Sequence, residues 1–195
     1  QKLEALYKNA YELFLTNGIE KTSISDIAKK AGVAKGTFYL YFTDKYDIRD
    51  QLIAKTADNL FHKAFNAMVN EQIPSFEDQI IFIVDYVLDS MQKNKPMLRF
   101  ISKNLSWGIF RHAITSSLPG EDIDSYDIYQ KLLFENPDVR LRAPKTMLFL
   151  IIELASSTSF STILENDPIP FDELKPDLNA SIRAIIRNHT LPREA

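Results

Sequence analysis

The sequence predicts an all-α fold built in two parts, and three observations predict it. Apolar residues recur at three- and four-residue spacing along most of the chain. No stretch reads as a credible strand, and there is no internal repeat or low-complexity tract. Capping residues and Gly or Pro breakers cut the periodic pattern into roughly eight to ten helices. The chain has 195 residues and is 45% apolar, which is enough for one or two packed cores.

The first helix places Leu3, Leu6, Tyr7, Ala10, Leu13 and Phe14 at helical spacing, and Asn17-Gly18 stops it. A second, short helix is expected from Ser23 to about Ala31. Ser23 followed by Asp26 makes a capping box with a carboxylate, and Ile24, Ile27, Ala28 and Ala31 form the apolar face. Gly32 ends it, since glycine takes the left-handed conformation without a Cβ clash. Val33 is the apolar residue of the turn. A third segment follows from Ala34 to about Tyr41, with Phe38 and Phe42 on its inner side. Two short helices joined by a Gly-containing turn make a helix-turn-helix.

The outer side of that third segment is unlike a core helix. It carries Lys35, Gly36, Thr37, Tyr39, Leu40 and Tyr41. Such a surface suits the major groove of DNA. Gly36 lets the backbone approach base edges, and Thr37 can bond an edge or touch a thymine methyl. Tyr39 and Tyr41 can reach phosphate oxygens, and Lys35 supplies charge. Thr22 and Ser23 join the expected contact set at the start of the preceding helix. Asp44 caps the next helix, with Asp47 as its partner carboxylate. Lys45 sits in its first turn, where an ammonium and free N–H groups can share a phosphate.

The stretch TSISDIAKKAGVAKGTFYLYFTDKYDI resembles the TetR family of transcriptional regulators nearly position for position. The resemblance is strong over about the first 50 residues. Beyond them it lies in helix order and in the C-terminal DELKPDL and IRAII stretches. One departure is Ala34, where the family often has Ser as N-cap. The resemblance implies that the first helix supports the reading head, with its N-terminus near the DNA backbone. It also implies a second, helical domain that holds a small-molecule effector, and dimerisation through the last two helices.

Charge agrees with contact at one end only. The net charge is −3. Residues 1–50 carry 8 Lys and Arg against 7 Asp and Glu, net +1, while the remainder carries 15 against 19, net −4. Four lysines and one aspartate fall within 29–45, a basic patch on an acidic body. There is no cysteine, which permits a reducing cytosol. The chain opens on Gln-Lys-Leu-Glu, an amphipathic start rather than a signal peptide, and the missing Met suggests a few preceding residues.

From Asp44 a long helical pattern runs to about Asn70 through Ile48, Leu52, Ile53, Ala57, Leu60, Phe61, Ala64, Phe65 and Met68. It would span roughly 40 Å and link the two domains mechanically. Ser75 with Asp78 caps the next helix, which is apolar over most of its circumference and so central. Further helices are expected from Pro96 to about Thr115 and from Tyr126 to Phe134, separated by a polar loop. The apolar stretch Thr146 to Leu164 is interrupted by Glu153 and rich in Ser and Thr, a poor membrane span and a good buried helix. The last helix runs from about Phe171 to Asn188, with a bend or restart expected near Pro176.

In the second domain Phe61, Phe65, Phe82, Tyr86, Phe100, Trp107, Phe110 and Phe149 stand on several helices. Singly they read as core. Together they could line an apolar pocket, with Tyr86, Trp107 and Glu153 as polar handles. On the last two helices, small residues including Ala155 and Ser159 and the stripe Leu178, Ile182, Ile185 and Ile186 could face the chain's own core, but the resemblance implies that they form the dimer interface with a second copy. His62, His112 and His189 lack metal-ligand spacing, and no catalytic constellation or phosphate loop stands out, so no cofactor, metal or enzymatic activity is expected.

The expected architecture is therefore a three-helix helix-turn-helix DNA-binding domain at 1–46 and a helical effector-binding and dimerisation domain at 47–195. The expected function is sequence-specific DNA-binding transcriptional regulation by a cytoplasmic homodimer on a near-palindromic double-stranded operator, without membrane contact. A repressor released by a small, largely apolar ligand is favoured. The alternative is a DNA-binding regulator without an effector, whose second domain recruits a protein.

Overall fold

The computed structural model describes residues 1–102 and 131–192, and the chain divides into two compact units, Gln1–Thr56 and Ala57–Ala195. Eight α-helices have defined bounds among the described residues: α1 Lys2–Asn17, α2 Ile24–Lys30, α3 Lys35–Phe38, α4 Lys45–Asn70, α5 Phe76–Lys93, α6 Lys95–Ser102, α7 Pro144–Leu164 and α8 Phe171–His189. Residues 131–134 are also helical. The β-type pairing among the described residues is a single bridge between Leu141 and Thr190.

The first unit is a small core closed by α1, α2, α3 and the start of α4. Leu6, Ala10 and Phe14 come from α1, and Ile27 and Ala28 from α2. Phe38, Phe42, Ile48, Leu52 and Ile53 complete it. Phe42 is its aromatic hub: the Tyr7 ring meets it edge-on at 5.3 Å, and Phe38 lies at 5.3 Å. The α4 helix is continuous through the division between the units, as its long apolar pattern requires.

In the second unit α5 is the central helix. It buries Phe76, Ile80, Ile81, Ile83, Val87, Leu88 and Met91. Its N-cap is Ser75, whose hydroxyl accepts from the Asp78 N–H at 3.0 Å. Asn94 closes α5 and caps α6, since its side-chain oxygen accepts from the Met97 N–H at 3.1 Å. Gln79 is buried yet satisfied: Asn136 Nδ2 donates to its Oε1 at 2.6 Å, and its own Nε2 donates to the Ile73 carbonyl at 2.8 Å. The segment after Asn136 then lies along the end of α8, where the Arg142 N–H donates to the His189 carbonyl at 2.7 Å.

Three expectations are corrected here. The helix over Thr146 to Leu164 exists, as α7, but it is not a buried helix within one chain. Only one stripe, Met147, Ile151, Ala155, Ser159, Thr162 and Ile163, faces the core, and 28% of its apolar stretch is buried. Ala155 and Ser159 on α7, and Leu178, Ile182 and Ile186 on α8, already lie inside the single chain. They cannot also be the surface offered to a second copy. Ile185 alone of that set is half-exposed. Finally, α8 runs through Pro176 without a restart, the proline standing on the exposed face.

Candidate nucleic-acid interface

The site begins at the α2 N-terminus. Ser23 is extended, and its hydroxyl accepts from the Asp26 N–H at 3.1 Å. In return the Ser23 N–H donates to Asp26 Oδ2 at 3.0 Å, completing the capping box. The hydrogen bonds from Ser23 hold the Asp26 carboxyl below its ordinary range. After α2 the chain turns at Gly32, whose φ of 68° is the left-handed conformation that only glycine adopts without strain.

The expected recognition helix is shorter than its pattern suggested. Ala34 provides no side-chain cap, and only Lys35–Phe38 is α-helical. The chain then tightens into i→i+3 bonds, with the Leu40 N–H on the Thr37 carbonyl and the Tyr41 N–H on the Phe38 carbonyl. Phe38 is fully buried beneath this turn, and Phe42 anchors its end. The outer surface is what the sequence implied. Lys35 and Gly36 are exposed, Thr37 is half-buried, and Tyr39, Leu40 and Tyr41 are exposed by 52%, 78% and 43%. The Tyr39 ring meets Phe38 edge-on at 5.7 Å and the Tyr41 ring lies 6.4 Å from Phe42, yet both keep a large exposed area, as does Leu40.

Gly36 adds a negative observation. A Cβ built there meets no heavy atom within 4 Å, and its φ is not positive. Neither packing nor backbone conformation of the chain itself demands a glycine. An external surface approaching closely would.

The start of α4 is braced on α1 by a run of hydrogen bonds. Asp44 Oδ1 accepts from the N–H groups of Tyr46 and Asp47 at 2.7 and 2.9 Å. Asp47 does not close the box on Asp44, as expected, but reaches one residue further back, where the Thr43 N–H donates to its Oδ2 at 2.9 Å. Gln51 Nε2 donates to the other Asp47 oxygen at 2.8 Å, and the Tyr7 hydroxyl donates to Gln51. Burial would raise the Asp47 carboxyl, but the bonds from Thr43 and Gln51 outweigh it and hold it low.

Two expected contact residues are placed differently from the rest. Thr22 is buried, and its hydroxyl donates to the Gly18 carbonyl at 2.8 Å, so it fastens the end of α1 and faces no partner. Lys45 is largely committed within the chain, its side chain 20% exposed. Its ammonium donates to the Ile19 and Glu20 carbonyls at 3.0 and 3.2 Å. Beside it stands Tyr46, which sequence reasoning passed over. Its ring lies 5.3 Å from the Lys45 ammonium and 5.0 Å from the Arg49 guanidinium, and it is 39% exposed. The available signal was a third exposed-type tyrosine one residue from a first-turn lysine. Residues 20–25, Lys35, Asp44 and Lys45 rim an open hollow.

This arrangement of capped support helix, glycine turn and tyrosine-bearing surface turn spans the same stretch as a known sequence model. Residues 6–52 match the family described as bacterial regulatory proteins, tetR family. Over those residues the chain resembles the N-terminal domain of TetR-family transcriptional regulators. It is similar to the uncharacterized HTH-type transcriptional regulator YvdT of Bacillus subtilis, 49% identical over 59 residues that make up 30% of this chain and 28% of YvdT. It is also similar to the uncharacterized HTH-type transcriptional regulator YerO of the same organism, 24% identical across 100% of this chain and 80% of YerO. A TetR-family transcriptional regulator from Streptomyces coelicolor has a similar fold, with a TM-score of 0.71 at 14% identity, covering 97% of this chain and 99% of that one. Both Bacillus relatives are described as HTH-type transcriptional regulators.

The expected ligand-binding residues of the second unit are less tightly gathered. Phe82 and Tyr86 stack on α5 with ring centroids 6.4 Å apart. Phe61 and Glu153 are half-buried, Phe65 and Phe100 are core, and Phe149 is on the exposed side of α7. Trp107 and Phe110 lie outside the described residues, as does His112. Among the described residues no group of three acidic or histidine side chains could hold a metal.

Proposed function

We propose that this TetR-family regulator is a homodimeric repressor that reads a near-palindromic operator with Ser23, Lys35, Gly36, Thr37, Tyr39, Leu40, Tyr41 and Lys45. The observation that carries this is the exposure of Tyr39, Leu40 and Tyr41 on a turn anchored from beneath by the buried Phe38 and Phe42. One such turn makes too few contacts to select a site. Two copies about 34–36 Å apart would read successive major grooves.

The uncovered face of α7 supports the homodimer. Leu150 is 40% exposed and Phe149 39% exposed. Leu154 and Leu164 are half-exposed on the same side, and α8 alongside exposes the small residues Ala180, Ser181 and Ala184. Large apolar side chains beside small ones allow two copies to interlock in an isologous four-helix contact. By length and composition α7 could also cross a membrane. Covering by a second copy explains its apolar face without one, and we assign the protein to the cytoplasm.

The effector would be a small, largely apolar molecule among the aromatic side chains of the second unit, with Phe61, Phe82 and Tyr86 as its nearest candidates. It would favour a dimer state with altered head spacing, and its differential affinity for the two states sets how far it shifts them. The continuous α4 would carry that change.

Selection of bound sequences from random duplexes tests the DNA assignment: a palindromic pair of half-sites one helical turn apart is expected, and enrichment of nothing overturns it. Tyr39→Ala is expected to weaken operator binding with melting unchanged. A thermal-shift screen of apolar compounds tests the effector, which stabilises by mass action. A screen without any shift favours recruitment of a protein instead.

A further inference from the structure

Glu20 lies in the loop between α1 and α2 and played no part in the expected site. Its side chain is 81% exposed, yet it is not idle. The Tyr46 hydroxyl donates to both its carboxylate oxygens, at 3.4 and 3.3 Å. Its Oε2 stands 3.9 Å from the Lys45 ammonium. Two N–H groups of that ammonium are already on the Ile19 and Glu20 carbonyls, which leaves one direction open. The carboxylate stands beside that ammonium, on the rim of the hollow that Lys21 and Lys35 also line. A phosphate oxygen seeking Lys45 and Tyr46 would therefore meet a negative charge already beside them.

We infer that Glu20 is an electrostatic brake on the reading head, competing with a DNA phosphate for Lys45 and Tyr46. This rests on the DNA-binding assignment above and adds a residue that sets affinity without reading sequence. Phosphate contacts position a protein and carry no base information. The brake therefore lowers binding to every duplex by the same factor and keeps the regulator from being held on random DNA.

Binding titrations of the full-length chain with Glu20→Gln test it, using a selected operator duplex and a scrambled duplex of equal length. Both are expected to bind roughly three- to tenfold more tightly, with a salt dependence steeper by about 0.9 for one additional phosphate contact. In a Lys45→Gln background the same change at Glu20 is expected to give a much smaller gain. Unchanged affinity and slope overturn the brake, and so does an undiminished gain without Lys45. Tighter binding to the operator alone also overturns it, by making Glu20 a reader of sequence. A wild-type chain that retains no duplex at low salt fails the DNA assignment itself, and the brake falls with it.

Discussion

Arg183 Nη1 donates to Glu77 Oε1 at 2.8 Å, joining the last turns of α8 to the first turn of α5. The same guanidinium lies 2.7 Å from Asp78 Oδ1, and Arg187 bonds both Glu77 oxygens, at 2.9 and 2.8 Å. The two acids also stand where the positive end of the α5 dipole favours them. The hydrogen bond from Arg187, and then that from Arg183, holds the Glu77 carboxyl below its ordinary range. Ser75 and then Arg183 do the same for Asp78.

A carboxyl lowered in the folded state stabilises above its unfolded value, which is near pH 4. That stability is lost as pH falls through the lower, folded value. The melting temperature is therefore expected to drop between about pH 5 and pH 3. Glu77→Gln should melt lower at neutral pH and show a flatter decline over that range. Melts of both proteins across pH check this; parallel curves would remove Glu77 from the acid response.

Leu40 leads to a test at the level of single base groups. It is 78% exposed and has no hydrogen-bonding group, so it gains from DNA only by covering apolar surface. The apolar group on a major-groove edge is the thymine methyl. Replacing the contacted thymine of a selected half-site by uracil is expected to weaken wild-type binding about fourfold, the equivalent of one buried methyl at about 0.8 kcal/mol. Leu40→Ala should bind the two duplexes equally. Titrations of four protein–duplex pairs decide it, and equal losses in both proteins would assign the methyl contact elsewhere.

The division of α8 into inner and outer faces makes the proposed dimer testable without confusing it with folding. Ala184 is exposed, whereas Ile182 two positions away is fully buried. Ala184→Glu is expected to give a helical, cooperatively melting monomer that has lost operator affinity. Ile182→Glu buries an unpaired charge and should abolish folding. Sedimentation beside circular dichroism separates the two, and a dimeric Ala184→Glu would move the contact off this face.

Local signals were the legible part of this fold. Ser23 with Asp26, Gly32, and Ser75 with Asp78 each depend on residues three or four apart, and each stands where its spacing implied. What needed coordinates depends on partners distant in sequence. Periodicity finds an apolar stripe on α7 and α8 but not which body covers it. Leu178, Ile182 and Ile186 were thus assigned to a second copy while the chain's own core takes them. Lys45 is a similar case: its partners are carbonyls of Ile19 and Glu20, 26 and 25 residues away, which no pattern around Lys45 discloses. Thr22 was expected among the contacts for its place at the start of α2, but its hydroxyl donates to the Gly18 carbonyl, a partner only four residues away that the helix-start pattern does not reveal.

Gly36 allows stability and DNA contact to be changed in opposite directions by one methyl. A Cβ at this position stands in open space, with nothing within 4 Å. Its backbone is compatible with alanine, which favours a helix over glycine by about 1 kcal/mol. Gly36→Ala is therefore expected to melt at or slightly above the wild-type temperature. On DNA the added methyl meets the surface that the missing side chain now admits. One methyl forced into a packed contact costs about 1–3 kcal/mol, a loss of roughly five- to 150-fold in affinity. Thermal melts and operator titrations of the one variant give both quantities. Raised stability with weakened binding supports close approach at Gly36. Full binding by Gly36→Ala would show that DNA keeps its distance there, and would shift the contact surface toward Tyr39, Leu40 and Tyr41.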